Sequence, residues 1–313
     1  TGQKYLFYCT FVSQKINKIR WIPEDYVDTK NFFTGSWDDE INSIKVWCFE
    51  TLNEDENVEY PRQLSEYIVE GDVTEIKFTD KKTIAASFSN GDVKMLEVSA
   101  YDKQKCSCTS LDTLEGDIAS IGEDGNVNIL NGRRGEVSQA IKGADSCSLH
   151  SVCFIKLNEV GINFINNNDY YFIASIGEDG NVNILNVRHP TQPHVILAGS
   201  ESGSLAVWDL RMNQFPTSLL NAHAAGVTEM QFHPENPNKL LTSSVSGEVW
   251  DWNMETLTKM AQEDYLLEDK TTMNVNSLMS GLHKAINTLH CDRGRILCGA
   301  DNEAIYLIKN FKY

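Results

Sequence analysis

One short unit recurs seven times along the 313 residues of the chain, and this repetition restricts the folds that the chain can adopt. Each copy has an apolar pair, a few small residues, a turn and a strand with alternating apolar residues. In five copies an Asn-Gly, Asp-Gly or Ser-Gly step supplies the positive φ angles of a tight turn, so we predict a β-hairpin in each unit. The turn glycines are Gly91, Gly125, Gly180, Gly203 and Gly247.

A further strand with the pattern apolar-x-x-apolar-x-aromatic, or a close variant, precedes five of the hairpins. The copies begin at Ile16, Val73, Leu149, Val227 and Ile286. Because alternate residues of a strand face opposite sides, this pattern is typical of a strand that packs on a core. With an outer strand, each unit would have four strands at a spacing near the roughly 40 to 45 residues of propeller blades. We therefore predict one all-β domain over residues 1–313, a β-propeller.

Several residues resemble the signature of WD repeats, which form such propellers. They are Trp47, Trp208, Asp209, His223, Gly247 and Trp252. The resemblance implies a WD40-type propeller in which a histidine, a serine or threonine and the tryptophan form a buried hydrogen-bonded relay, completed by an aspartate before the turn. Ser246 stands where that aspartate would be, so we predict an incomplete relay in this blade. The tryptophans five residues past a turn glycine are expected to be buried between sheets.

We predict seven blades, with six full blades as the alternative. The strand near Tyr8 to Gln14 should complete the blade that ends at Ile308, so that both ends of the chain share one sheet. The chain begins with Thr1 instead of Met, so we expect it to be a fragment. Two long polar insertions, 50–71 and 254–284, are predicted loops. Most such loops are simply solvated, although binding residues concentrate in them.

The repeat is broken in the middle of the chain. Residues 118–131 and 173–186 are identical over fourteen positions, which blades that share only a fold do not normally show. Gly180 and Gly203 are too close for a four-stranded blade, and no inner-strand pattern lies between them. We predict a defective blade near residues 161–198, a fifth blade without its inner strand, and an unpaired strand edge around 187–198. An exon duplication or a faulty gene model would explain this, and sequencing the transcript decides.

Charge and composition exclude several classes of function. The 27 basic and 44 acidic side chains give a net charge of −17, which repels phosphate and anionic lipid, so we predict no direct nucleic-acid or membrane binding. Eight cysteines include no Cys-x-x-Cys pair, and no Asn-x-Ser/Thr acceptor occurs. Reduced thiols in the cytosol or nucleus are therefore expected.

No group of residues predicts catalysis or a metal site. Glu123-Asp124-Gly125-Asn126 resembles part of a calcium loop but lacks its other carboxylates, so a hairpin turn is the better interpretation. The histidines lack metal-ligand spacing, and Cys106 and Cys108 alone would not complete a site. A hydrolytic propeller would need clustered carboxylates or histidines at its central channel, and the sequence identifies none. We predict no enzyme activity, cofactor or small-molecule substrate.

The ends of the chain resemble the WD-repeat nucleoporins of the Y-shaped complex, which builds the outer ring of the nuclear pore. The resemblance rests on residues 11–21, 34–38, 144–150, 232–237 and 298–306. It implies a scaffold at the nuclear envelope that docks onto other nucleoporins, with a helical-solenoid subunit as neighbour. Support of mRNA export and protein import, and a kinetochore role in mitosis, are implied as well.

A second function remains open at this stage. The segment from Val207 to Arg211, Val-Trp-Asp-Leu-Arg, matches the short Trp-Asp-x-Arg box of propellers that serve as substrate receptors of cullin-based ubiquitin ligases. The box is short and weakly specific. Arg211 is more often a solvated residue on the rim of the propeller.

Overall fold

The computed structural model describes most of the chain, with gaps at both ends and in several connections. The described residues are 5–24, 28–51, 58–80, 83–96, 108–114, 116–131, 136–142, 149–156, 170–176, 185–192, 194–209, 211, 216–254, 275–281 and 284–311. All regular secondary structure in these ranges is β-strand, arranged in seven antiparallel sheets that follow one another along the chain.

The first three sheets are blades 1 to 3. Blade 1 contains β2 (Ile16–Trp21), β3 (Asn31–Ser36), β4 (Asn42–Thr51) and β5 (Glu59–Val69). Blade 2 contains β6 (Val73–Phe78), β7 (Ile84–Phe88) and β8 (Val93–Met95). Blade 3 contains β9 (Cys108–Leu114), β10 (Asp117–Gly122), β11 (Val127–Asn131) and β12 (Glu136–Ile141).

The remaining sheets are blades 4 to 7. Blade 4 contains β13 (Leu149–Lys156) and β14 (Tyr170–Ile176). Blade 5 contains β15 (Leu185–Arg188), β16 (Val195–Gly199), β17 (Ser204–Asp209) and β18 (Ser218–Asn221). Blade 6 contains β19 (Val227–Phe232), β20 (Lys239–Ser244), β21 (Val249–Asn253) and β22 (Val275–Met279). Blade 7 contains β23 (Ile286–Asp292), β24 (Arg295–Ala300), β25 (Ala304–Lys309) and β1 (Leu6–Phe11).

The inner strands form a closed ring. Each of β2, β6, β9, β13, β15, β19 and β23 contacts the next one, and β23 contacts β2. Six sheets have three or four described strands, and blade 4 has two. The predicted all-β WD40-type propeller is therefore confirmed, and blade 4, with two described strands, adjoins and overlaps residues 161–198, where we predicted a defective blade.

The first and last strands of the chain lie in one sheet. β1 pairs with β25 in antiparallel register, so that Tyr8 is opposite Leu307 and Phe11 is opposite Ala304. β1 thus forms the outer strand of blade 7, whose other three strands come from the C-terminal end of the chain. This pairing joins blade 7 to the residues that begin blade 1.

The duplicated segment folds in two different ways. In the first copy, 118–131, the residues form the hairpin of β10 and β11 within blade 3. In the second copy, the residues from Ile173 to Ile176 belong to β14 and pair with β13, whereas Leu185 and Asn186 belong to β15 and pair with β16 of the next blade. The same sequence is therefore divided between two sheets, and the neighbouring strands decide its pairing.

Two predictions for this region are wrong. Blade 5 has an inner strand, because β15 occupies that position, and 187–198 is not an unpaired edge, because β16 pairs with both β15 and β17. The inner-strand pattern did not detect β15 because this strand has only four residues, Leu-Asn-Val-Arg, and no aromatic residue. It also begins inside the copied segment, where the sequence predicts the end of a hairpin.

The predicted loop over 50–71 is also wrong. Half of it is β5, which pairs with β4 from Glu59 to Val69. The strand has no clear alternation of apolar and polar residues, because every residue from Arg62 to Ile68 is exposed. Of the other predicted loop, 254–284, residues Val275–Met279 form β22, and 255–274 lie outside the described residues.

Side chains of the inner strands bind the next blade around the ring. Asn17 donates to the carbonyl oxygen of Val73 at 2.7 Å, and Thr74 donates to that of Cys108 at 2.8 Å. Asn287 donates to Ile16 at 3.0 Å across the junction of blades 7 and 1. These donors occupy the second position of the inner-strand pattern. The inner-strand pattern therefore contains the residues that form hydrogen bonds between neighbouring blades as well as those that form the core.

Close packing between blades requires glycine at one position of β3. A Cβ atom on Gly35 would lie 2.5 Å from Cγ1 of Val73 in blade 2. We expect Gly35→Ala to lower the free energy of unfolding by about 1 to 3 kcal/mol, because an extra methyl group displaces a packed core. Urea denaturation of the purified chain measures this loss. Gly281→Ala is the control, since its Cβ would come no closer than 3.1 Å to Ser246; equal losses in both variants would contradict the packing argument.

Candidate functional site

Blade 6 holds a complete hydrogen-bonded relay around the predicted signature residues. Nε1 of Trp252 donates to Oγ1 of Thr242 at 2.9 Å, and Nε2 of His223 lies 2.7 Å from the same oxygen. Nδ1 of His223 lies 3.1 Å from a carboxylate oxygen of Glu248, which also accepts from Ser246 at 2.8 Å. Because a carboxylate only accepts, Nδ1 of His223 carries a proton, and in the tautomer with a single ring proton Nε2 accepts from the threonine hydroxyl.

The prediction of an incomplete relay is therefore wrong. The carboxylate comes from Glu248, just after the turn, instead of from position 246 before it. Burial alone would raise the pKa of Glu248, but hydrogen bonds from Ser246 and His223 outweigh it and lower the pKa. The relay thus ends on a carboxylate that lies two residues after position 246. Sequence comparison at a single position could not show this.

The other two signature tryptophans differ from each other. Trp47 is buried, and its Nε1 donates to Oγ1 of Thr34 at 2.8 Å. Trp208 pairs with Ile196 in blade 5 as Trp252 pairs with Leu240 in blade 6. We predicted that Trp208 is buried, but it is only half-buried. The position that matches Thr242 is Ala198, which has no hydroxyl group to accept from the indole.

Four signature glycines lie in the described hairpin turns. Gly91, Gly125, Gly203 and Gly247 have φ angles of 90°, 70°, 85° and 79°, which glycine adopts readily. Gly180 lies outside the described residues. These turns lie on the face of the disc where the inner strands begin, and we call it the turn face.

The turn face is acidic. The six described turns between second and third strands contain Asp38, Asp39, Glu40, Asp92, Glu123, Asp124, Glu201, Glu248, Asp301 and Glu303. Residues 37–41, 89–92, 123–126, 200–203, 245–248 and 301–303, which make up these turns, include no lysine or arginine. These six turns thus carry ten carboxylates and no basic residue in a chain with a net charge of −17, and Lys15 beside them pairs with Asp38. This face repels phosphate groups and attracts cationic segments.

A cavity of about 590 Å³ opens at the centre of the turn face. Its lining includes Asn17, Thr74, Thr228 and Asn287, from the start of four inner strands, together with Lys18 below them. The first four already donate to backbone carbonyl oxygens of the next blade. The mouth of the channel is thus built of side chains that stabilise the ring.

Below this mouth, the channel is crossed by a network of buried charges centred on Arg20. Its Nη2 atom lies 2.6 Å from Oε1 of Glu75 in blade 2, and its Nη1 atom lies 3.1 Å from Oε2 of Glu229 in blade 6. Nη1 also donates to Oγ1 of Thr288 in blade 7 at 3.1 Å, and Nε donates to the carbonyl oxygen of Ile76 at 3.0 Å. One side chain of blade 1 therefore binds three other blades.

The electrostatics of this network favour fixed charges. Burial would raise the pKa of Glu229, but Arg20 and Lys18 outweigh it and lower the pKa to about 2. The pKa of Glu75 is lowered for the same reason, with Lys18 as the strongest cation. Burial, with help from Arg20, lowers the pKa of His290 to about 3, so its ring is neutral and Nδ1 accepts from the backbone N–H of Trp21. These groups hold their protonation states near neutral pH, whereas an acid–base catalyst must change its own.

From the sequence we predicted no clustered carboxylates at the central channel. This prediction is wrong, because Glu75 and Glu229 lie there and both bind Arg20. The signal was available in the inner-strand pattern. Its third position is Lys18, Glu75, Glu229 and Thr288 in blades 1, 2, 6 and 7. In all four strands the pairing with the second strand shifts between the first and third positions, so the regular alternation of faces is interrupted there. The third residues then meet, because Lys18 pairs with Glu75 and Glu229, and Thr288 donates to Glu229.

We expect this network to make the fold sensitive to acid. A carboxylate whose pKa is lower in the folded chain stabilises it above the unfolded value and ceases to do so as the pH falls through the folded value. For Glu229 this window runs from about 4.5 down to about 2. The urea midpoint of the wild type should fall through this window, and that of Glu229→Gln should fall less steeply. Parallel pH profiles of the two proteins would contradict this role of Glu229.

The described residues hold little that could bind a metal or act as a nucleophile. They contain no group of three or more His, Cys, Asp or Glu side chains placed to hold a metal ion. Cys108 and Cys298 are buried free thiols, and burial raises the pKa of each to about 12. Across the described ranges, no helix has the length and apolarity needed to cross a membrane.

The Trp-Asp-x-Arg box forms a local ion pair. Nη2 of Arg211 lies 2.6 Å from Oδ2 of Asp209, and Nε donates to Oδ1 at 2.9 Å. These hydrogen bonds lower the pKa of Asp209 and raise that of Arg211. The side chain of Arg211 is still 56% exposed. The arginine is therefore oriented by its own box and can be reached from solvent.

Comparison with known proteins gives two full-length relatives. No family model matches the chain. Nucleoporin Nup43 of Homo sapiens is 29% identical over 374 aligned residues, which cover 97% of this chain and 98% of that protein. Nucleoporin Nup43 of Mus musculus is 30% identical over 373, which cover 96% and 98%. Both alignments are longer than the 313 residues of this chain, so the chain lacks segments that these relatives have.

A third relative is similar over a short part only. DNA damage-binding protein 2 of Bos taurus is 34% identical over 79 residues, which cover 24% of this chain and 18% of that protein. A match of this length spans fewer than two blades at the usual blade size of roughly 40 to 45 residues. It is similarity between repeats and not between whole proteins.

Proposed function

The chain belongs to the Nup43 family of nucleoporins, and we propose that it is a non-enzymatic structural scaffold in the outer ring of the nuclear pore. The observation that carries this proposal is similarity to Nup43 along nearly the whole chain. The closed ring of sheets, which buried ion pairs stabilise, supports this proposal, because such a disc holds loops and strand edges in fixed positions for partners.

In this role the chain docks onto other nucleoporins of the Y-shaped complex at the nuclear envelope, with a helical-solenoid subunit as its neighbour. It thereby supports mRNA export and protein import, and it accompanies the complex to kinetochores in mitosis. The acidic turn face supports docking to protein segments that present lysine or arginine. The same charge disfavours direct contact with nucleic acid or with anionic lipid.

The chemistry of the channel supports a role without catalysis. Its two carboxylates are held charged by Arg20 and Lys18, and His290 is buried and neutral. An active site needs a group whose pKa lies near the working pH or a nucleophile that its surroundings activate. The described channel instead uses its charges to join blades.

Affinity purification of the tagged full chain from cells tests the proposal. We expect nucleoporins of the Y-shaped complex to be recovered without cullin adaptors, and fluorescence of the tagged chain to lie at the nuclear rim. A tagged propeller of unrelated function is the control for non-specific recovery. Recovery of cullin adaptors without nucleoporins, together with diffuse fluorescence, would overturn the scaffold.

The ubiquitin-ligase receptor remains as a second candidate because Arg211 is exposed within its box. The variant Arg211→Ala separates the two functions. A receptor should lose its cullin adaptors in this variant, whereas a scaffold should keep its nucleoporins and its position at the rim. The similarity to Nup43 over the whole chain favours the scaffold.

A further inference from the structure

Exposed apolar side chains are concentrated at one place on the rim of the disc. Ten large apolar side chains are exposed among the described residues, and seven of them lie on β1, on β5 or in the turn between β3 and β4. These seven are Leu6, Phe7, Phe11, Ile41, Leu64, Tyr67 and Ile68. We call this set the rim patch. Concentrated exposed apolar surface marks a site of protein contact.

The rim patch lies at the junction of the first and last blades. β1 is the outer strand of blade 7, β5 is the outer strand of blade 1, and the two strands contact each other. The segment after β1 is tied to the same corner, because Nε2 of Gln14 donates to the carbonyl oxygen of Ile41 at 3.1 Å. These contacts place all seven side chains around the junction of blades 7 and 1.

β5 differs from the other outer strands. It has eleven residues, whereas the other described outer strands, β1, β12, β18 and β22, have four to six. It ends the strand order of its sheet, so no described strand pairs with its outer edge. An edge of this kind presents a row of backbone N–H and C=O groups that can pair with another strand.

The regular part of this edge runs from Ser65 to Val69. A bulge interrupts the pairing with β4 at Leu64, and beyond it each residue has one partner, from Val46 opposite Ser65 to Asn42 opposite Val69. Five residues are the usual length of a strand in a sheet. The regular part is thus long enough to serve as a template for one added strand.

We propose that this edge of β5 is the docking site for an extended segment of a partner nucleoporin, which adds a fifth strand to blade 1. This inference rests on the proposed scaffold function. Residues 62–68 are exposed on both sides of the sheet, so the strand projects as a ridge. A ridge with an open backbone edge suits an added strand, whereas an amphipathic helix needs a groove.

The side chains on the edge define the chemistry of the partner. An added strand places residues opposite Glu66, Tyr67 and Ile68. Tyr67 and Ile68 favour apolar residues opposite them, whereas Glu66 already pairs with Lys45 of β4 at 3.5 Å. The partner segment is therefore extended, with two neighbouring apolar residues that pack on Tyr67 and Ile68.

Hydrogen–deuterium exchange on the purified outer-ring assembly, compared with the free full chain, tests strand addition. Amide exchange over residues 62–69 should slow by about tenfold in the assembly, because backbone pairing protects amides. A photo-reactive residue at position 65 or 67 should crosslink to one segment of one nucleoporin. Unchanged exchange over 62–69 in an assembly that retains the chain would overturn the proposal, and so would crosslinks spaced three or four residues apart, as on a helix.

The variant Ile68→Asp has a matched control elsewhere on the rim. Ile68 is 67% exposed on the outer strand of blade 1, and Leu219 is 65% exposed on that of blade 5. Ile68→Asp should reduce recovery of nucleoporins by about tenfold, as expected for a central contact residue, and Leu219→Asp should not. Equal recovery with both variants would overturn the docking site and leave the scaffold intact. If the wild-type chain itself recovers no nucleoporins, the proposed function fails instead.

Discussion

Replacement of Arg20 by methionine should lower the free energy of unfolding by about 3 to 5 kcal/mol, the largest effect that we expect from one substitution. The reason is that Glu75 and Glu229 would remain buried without the fork of N–H groups that binds both. Lys18 and Lys77 also act on the two carboxylates, but Nζ of Lys18 lies 3.4 and 3.6 Å from them, farther than the guanidinium nitrogens of Arg20. Urea denaturation of the purified chain measures the loss.

Three variants make this prediction testable in detail. Arg62→Met removes a solvent-exposed ion pair with Glu50 and should cost about 0 to 1 kcal/mol. Arg20→Met combined with Glu229→Gln should recover part of the loss, since Lys18 and Glu75 then remain as one ion pair 3.4 Å apart. If Arg20→Met does not fold, Arg20→Lys serves instead, because it keeps the charge but loses the two-pronged guanidinium group. Its free energy of unfolding should lie below that of the wild type. A loss with Arg20→Met no larger than with Arg62→Met would contradict the network.

The short-range signals in the sequence were sufficient for the architecture. A glycine after Asn, Asp or Ser predicts a turn because its backbone reaches positive φ, and four of the five turn glycines do so in the described residues. The inner-strand pattern located β2, β6, β13, β19 and β23. Repetition then implies a ring, because each unit can bury its apolar sides only against copies of itself.

Elements without such a signal were missed or misread. β5 lies at the rim with residues 62–68 exposed, so its sequence shows no alternation of apolar and polar residues. β15 has four residues, two of which come from a segment that forms a hairpin elsewhere in the chain. In both cases the pairing partner decides the structure. Strand propensity depends on context in this way, and helix propensity does so less.

The channel network was predictable in part. The third position of the inner-strand pattern carries charged or polar residues in four blades, and a ring places these positions around one axis. The sequence did not show that Arg20, at the fifth position, would reach across to Glu229 in blade 6. That contact depends on the curvature of the closed ring, which no single repeat encodes.

The second large effect concerns the relay of blade 6. Thr242→Val should lower the free energy of unfolding by about 2 to 4 kcal/mol, because the hydroxyl group serves two buried partners and a methyl group serves neither. Nε1 of Trp252 and Nε2 of His223 both lose their bond to Oγ1 of Thr242. The substitution keeps the shape of the side chain, so the loss reports the hydrogen bonds and not a cavity. Urea denaturation of the purified chain measures it.

Blade 1 provides the matched control for this prediction. Oγ1 of Thr34 accepts from Nε1 of Trp47 and from no other indole or imidazole group in the described residues, so Thr34→Val removes one such bond instead of two. We expect its loss to be about half as large, since the cost scales with the number of buried groups that lose a partner. Equal losses would mean that His223 contributes nothing through Thr242. In that case the carboxylate of Glu248 would be a local feature of the turn and not the end of a relay that stabilises the blade.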